Sequence, residues 1–132
     1  MKGAFCSISP ATNRVSRYVV DASYRIHSRL GPGLLESVYE SCLFYELTNK
    51  GLQVRRQTLV AIKYDDIEID AGLRLDLLVN DCLIVELKSV ESILPIHHAQ
   101  VLTYLKLTGH RLGLLIDFNV PLIKTGIKRI AL

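Results

Sequence analysis

Three charged side chains stand inside the most apolar stretch of this chain. Residues 74–88 read Arg-Leu-Asp-Leu-Leu-Val-Asn-Asp-Cys-Leu-Ile-Val-Glu-Leu-Lys, two apolar strands joined by a tight turn at Asn80-Asp81. Asp76, Glu86 and Lys88 lie within the strands rather than at the turn. Ions among Leu, Ile and Val are costly unless they pair or hold a metal. Glu86 and Lys88 are two residues apart and so point to one face of their strand. Two carboxylates and a lysine on one sheet face are what magnesium-dependent phosphodiester hydrolysis requires. The competing reading is a set of satisfied ion pairs, such as Asp76 with Arg74 or Glu86 with Lys88.

Register decides whether the carboxylates can meet. Opposed residues in an antiparallel pair point to the same side of the sheet. A two-residue loop at Asn80-Asp81 would set Asp76 against Val85 and put Asp76 and Glu86 on opposite faces. A shared site requires an odd-length loop or a bulge, for instance a three-residue loop of Asn80, Asp81 and Cys82, with Asp76 opposite Glu86.

Other candidates lie on helices. Glu36 falls on one helical stripe with Tyr39, Leu43 and Leu47. A carboxylate on that apolar side points inward, toward a metal or a water beside it. A glutamate near a helix N-terminus is equally explained by the helix dipole. Gln100 and Tyr104 are one turn apart and share a face, with His97 at its edge and His98 facing elsewhere. Arg55, Arg56, Lys124, Lys128 and Arg129 are candidates for contact with a nucleic acid backbone, or are simply solvated.

The elements that must position these groups follow from periodicity. Apolar spacing predicts helices over residues 14–30 and 34–50, the first stopped by Gly31-Pro32-Gly33 and the second capped by Gly51. Strands are expected over 53–64 and from 67, with a turn at Asp65-Asp66 and a bulge or bend at Ala71-Gly72. The hairpin follows, then a helix from Pro95 to about residue 108, and strands over 112–118 and 126–131. The order ααβββαββ describes an α/β protein with a mixed sheet flanked by helices.

Composition sets outer bounds. The 132 residues suffice for one domain, taken as 13–132, with 1–12 expected as a loose leader. The chain is 49% hydrophobic and 22% charged, the balance of a globular protein. No apolar run approaches the ~18 residues of a membrane span, and no signal-peptide core is seen. Cys6, Cys42 and Cys82 are far apart and odd in number, which suggests reduced thiols and a cytoplasmic protein. They offer no CxxC zinc spacing. A net charge of +3 permits nucleic acid binding without demanding it.

Several of these segments carry a resemblance. Gly33-Leu34-Leu35-Glu36-Ser37-Val38-Tyr39 fits the pattern GxxExxY. It is followed in order by Leu75-Asp76, Glu86-Leu87-Lys88, Gln100-Val101-Leu102-Thr103-Tyr104 and Gly126-Ile127-Lys128-Arg129. The chain resembles the GxxExxY proteins of bacteria and archaea, within the PD-(D/E)XK nuclease superfamily. The resemblance implies a restriction-endonuclease-like core and a site for Mg2+ or Mn2+. It implies Asp76, Glu86 and the Leu87 backbone carbonyl as metal ligands, with Glu36 a further candidate ligand. Lys88 would orient the attacking water and neutralise the phosphate. Gln100 and Tyr104 match the QxxxY element of RecB-like nucleases, implying contacts to phosphate. The implied partner is nucleic acid, DNA ahead of RNA, in repair or processing, acting alone, as a homo-oligomer or with a partner protein. The alternative is a non-cleaving nucleic-acid- or protein-binding module on the same fold. Two residues depart from the pattern: Leu75 replaces the proline before the aspartate, and Asp117 precedes Phe118 where the family carries Asn.

Overall fold

The computed structural model describes residues 8–132. Helix α1 spans Pro10–Leu30. Ser9 Oγ accepts the Thr12 amide at 3.1 Å, and Pro10 occupies the first turn, where its missing N–H is no loss. Residues 10–12 are therefore helix, not leader; residues 1–7, with Cys6, lie outside the described residues. Helix α2 spans Glu36–Asn49, leaving Leu34 and Leu35 in the connecting loop.

Strand β1 (Val54–Tyr64) turns at Asp65-Asp66 into β2 (Ile67–Val79), which leads to β3 (Leu83–Lys88). Helix α3 (Pro95–Thr108) crosses to β4 (Leu112–Asp117). A single helical turn, α4 (Ile123–Gly126), which periodicity is too short to reveal, precedes β5 (Ile127–Ala131). The five strands lie in chain order; β3 and β4 are parallel and the other neighbours antiparallel. The expected mixed sheet is thus present.

Helices cover both faces. Val15, Val19, Ile26, Tyr39, Leu43 and Leu47 of α1 and α2 pack on Leu77, Val85, Leu87 and Leu114. On the other face Val101 and Leu105 of α3 pack on Leu75, Leu78, Ile84 and Leu115. The double cover is why β3 and β4 read as nearly continuous apolar runs. The chain stands as three layers with β3 and β4 at the centre.

Strands β1 and β2 outrun the sheet. Only Leu77, Leu78 and Val79 of β2 pair with β3, while β2 pairs with β1 from Val79 out to Ile67. The remainder is a two-stranded arm. A register shift between Val60 and Ile62 and a positive φ of 55° at Ala71 mark the expected bulge. Gly72 belongs there, because a Cβ would press on the Ile62 side chain.

Gly126 has a harder constraint: a Cβ there would collide with the Asp117 carbonyl oxygen, a backbone atom that no rotamer change can move aside. Gly126→Ala should destabilise the fold by about 1–3 kcal/mol, the usual cost of overpacking, or by more. Urea unfolding monitored by circular dichroism checks this; an unchanged midpoint would show that the α4 turn yields freely.

Candidate active site

The hairpin has the odd loop. Val79 pairs with Leu83, enclosing Asn80, Asp81 and Cys82. Asn80 and Asp81 take φ of 50° and 52°, a region these residue types tolerate. Continued past the Leu77–Val85 pair, this register sets Asp76 opposite Glu86.

Regular pairing stops there, and the two carboxylates take over the bonding. The Asp76 amide donates to Glu86 Oε1 at 3.1 Å, and the Leu87 amide donates to Asp76 Oδ2 at 2.9 Å. Each side chain thus captures a backbone N–H of the opposite strand. The ion pairs left open by the sequence, Asp76 with Arg74 and Glu86 with Lys88, are not formed among the described residues. One oxygen of each carboxylate is left without a backbone partner.

The backbone around Asp76 is irregular, which alternation does not foretell. Leu73 and Leu75 pack on the α3 side, but Leu77 and Val79 pack on the α1–α2 side. Strict alternation would keep all four together. The buried face of β2 therefore switches at Asp76. Gln57, opposite Asp76 in the β1 register, has a φ of 49°. Its amide donates to Glu40 Oε1, and Arg56 donates to Glu40 Oε2 at 3.0 Å and to Ser41 Oγ at 2.9 Å. Glu40, to which the sequence assigns no role, braces the strand beside the site.

A second brace holds the end of β3. The Ser89 amide donates to Glu36 Oε2 at 3.1 Å, and Ser89 Oγ donates to the Leu34 carbonyl at 2.7 Å. The Tyr39 hydroxyl donates to the Gly31 carbonyl at 2.7 Å and accepts the Leu34 amide at 3.2 Å. Its ring stacks on Phe118 with centroids 4.3 Å apart. The Glu and Tyr of the GxxExxY stretch thus clamp the loop before α2 against the residue after Lys88. Glu36 is also the first residue of its helix, as the dipole reading has it, and it is exposed at the cleft's edge rather than buried on the apolar stripe. Asp117, only 1% exposed, accepts the Val90 and Asn119 amides at 3.2 and 3.0 Å. These backbone bonds account for the buried carboxylate at this position.

These elements frame an open cleft of about 560 Å3. Glu36, Asp76, Glu86, Leu87, Lys88, Gln100 and Tyr104 all line it, together with Arg74, Leu59 and the bulge at Ala71-Gly72. The seven catalytic and metal-ligand candidates are therefore at one place. The Leu87 side chain is buried on the α1–α2 side, so its backbone is what it offers to the cleft. His97 does not line it; its Nδ1 accepts the Leu94 amide at 3.0 Å and caps α3. Three of the five dispersed cations are engaged elsewhere: Arg55 with Asp81, Arg56 with Glu40, Arg129 with Asn13.

Electrostatics make the cleft hungry for a cation. Burial, and then the charge of Asp76, push the Glu86 carboxyl from 4.5 up to about 8. The Asp76 amide and the Lys88 charge oppose this without cancelling it. Tyr104 is also raised, by burial first and then by Glu86 and Asp76, which keeps its phenol protonated. Two carboxylates and a backbone carbonyl are hard oxygen donors and suit Mg2+, which keeps several waters and needs no full protein cage. Among the described residues no three His, Cys, Asp or Glu side chains converge.

A sign follows for pH. The folded state holds a proton on Glu86 that the unfolded chain releases near 4.5, so metal-free stability should fall between about pH 5 and pH 8. Asp76→Asn retains an acceptor for the Leu87 amide but removes the repelling charge. It should flatten this slope, be neutral or stabilising without metal, and lose the stabilisation that Mg2+ gives the wild type. Melting temperatures in EDTA and in Mg2+ across this range check it; equal metal responses in the two proteins would contradict the assignment.

Comparison with known proteins agrees with this geometry. A family model of the PD-(D/E)XK nuclease superfamily matches residues 13–130. No curated protein and no solved structure matches the chain. The match runs from α1 to β5, and the mixed five-stranded sheet between helices is the restriction-endonuclease-like arrangement. The chain belongs to the PD-(D/E)XK nuclease superfamily.

Proposed function

We propose that this protein is a divalent-metal-dependent nuclease that hydrolyses nucleic acid phosphodiester bonds in the cleft between β2, β3 and α3. Superfamily members generally hydrolyse such bonds with divalent ions. The observation that carries the reading is the facing pair Asp76 and Glu86, bonded to backbone amides, unpaired with any cation and open to a cleft.

Asp76, Glu86 and the Leu87 carbonyl would hold Mg2+ or Mn2+. The ion would supply Lewis acidity toward the phosphate and a more acidic water. Lys88 orients the attacking water and stabilises charge as it gathers on the phosphate oxygens. Gln100 and Tyr104 offer neutral hydrogen-bond donors to the same phosphate. Glu36 positions Lys88 through the Ser89 amide, and its remaining oxygen is the candidate further donor to the ion. DNA, in repair or processing, is the first substrate class to test, and a cytoplasmic location fits reduced thiols. No described helix is long and apolar enough to cross a membrane.

One observation favours a second reading, a binding module that does not cleave. Arg55, Arg56 and Arg129, three of the five basic residues offered by the sequence for backbone contact, are bonded within the protein, which weakens the grip they could lend on a long duplex.

Lys88→Ala separates the two. If Lys88 acts in the chemical step, cleavage per folded molecule should fall on the order of a hundredfold or more, while binding largely survives. Single-turnover assays on single-stranded DNA, duplex DNA and RNA with Mg2+ and Mn2+ check this. Unchanged activity per folded molecule would remove Lys88 from the chemistry, and absence of cleavage by the wild type on every substrate would favour the binding module.

A further inference from the structure

Arg74 lines the same cleft as the carboxylates, from β2, and Lys88 lines it from the end of β3. The cleft therefore carries two cations beside its two carboxylates. We infer that Arg74 is a second phosphate-binding residue, which grips a nucleic acid phosphate from the β2 wall while Lys88 faces it from β3. This rests on the nuclease reading above and adds to it a residue that neither the sequence motifs nor the family pattern assigned.

The surroundings of Arg74 support this. Its side chain is exposed and lines the cleft. Across β1 its partner is Leu59, which is 63% exposed and offers an apolar surface for its stem but no charge. Asp76 stands two residues away, yet no ion pair forms between them, because Asp76 and Glu86 are bonded to backbone amides. Among the described residues the guanidinium thus has no internal carboxylate to neutralise. Its charge reaches the site all the same: it acts on the Tyr104 hydroxyl against the pull of Glu86 and Asp76. A planar fork of donors is matched to two phosphate oxygens in a way that an ammonium is not. Three of the dispersed arginines are spent inside the fold, so a cation left free at the cleft has disproportionate weight in substrate binding.

The test is binding rather than turnover. Fluorescein-labelled single-stranded and duplex DNA would be titrated with wild type, R74A, R74K and K50A. Anisotropy would be read over a salt series, with probe integrity checked on a gel and folding by thermal melts. R74A should weaken binding about tenfold. It should also lower the slope of log affinity against log salt by about one phosphate contact. R74K should restore the salt slope but only part of the affinity. K50A, at the end of α2 and outside the cleft lining, should match the wild type. Wild-type binding that persists unchanged in R74A, in affinity and in slope, would overturn the role of Arg74 and leave the nuclease reading standing. Failure of the wild type to bind any nucleic acid would overturn both.

Discussion

Two carboxyl groups facing each other across a pair of apolar strands are the constraint around which this molecule is built. Each carboxylate replaces a missing ladder bond by accepting a backbone amide from the other strand. That exchange lets β2 and β3 separate without orphaning their N–H groups, and the separation is what opens the cleft. The cost is a buried glutamate raised to about 8. The fold tolerates it because the neighbouring backbone is tied down independently of the charges.

Those ties come from several directions. The Glu40–Arg56–Gln57 cluster fixes β1 behind Asp76. Glu36 and Tyr39 fix the loop before α2 against the end of β3. Asp117 gathers the amides of Val90 and Asn119 just beyond Lys88. All three use carboxylates or hydroxyls to bond backbone, side-chain amide or arginine groups.

Much of this was legible in the residues. Apolar runs mark the central strands, Pro95 and Gly109 bound α3, and a face shared by two carboxylates calls for an odd loop or a bulge, which the chain supplies as a three-residue loop. Other features were hidden for physical reasons. Glu40 and Arg56 read as surface charges because their pairing is long-range and periodicity reports only local facing. Asp117 read as an added charge because backbone partners from separate loops leave no mark in composition. The switch of faces at Asp76 breaks the alternation on which strand reading depends, and it falls at the site, where local rules are most often broken. The start of α1 was missed although Ser9-Pro10 is a capping signal, because the apolar stripe begins only at Val15.

The arm formed by β1 and β2 gives the cleft two walls of unequal stiffness. Outside Asp76–Val79, β2 is paired with β1 alone, and Leu59, Tyr64, Ile67 and Ile69 are exposed. The outer part of such a two-stranded ribbon, with little buried surface, opens at low free energy, whereas β3 and β4 open only with the whole molecule. Amide protons in the outer arm will accordingly exchange with solvent far ahead of those in the central strands. The carboxylates sit on the slow side of that divide, and Arg74 lies at its edge, between the buried Leu73 and Leu75. One wall holds its geometry while the other bends to the shape of whatever lies against it.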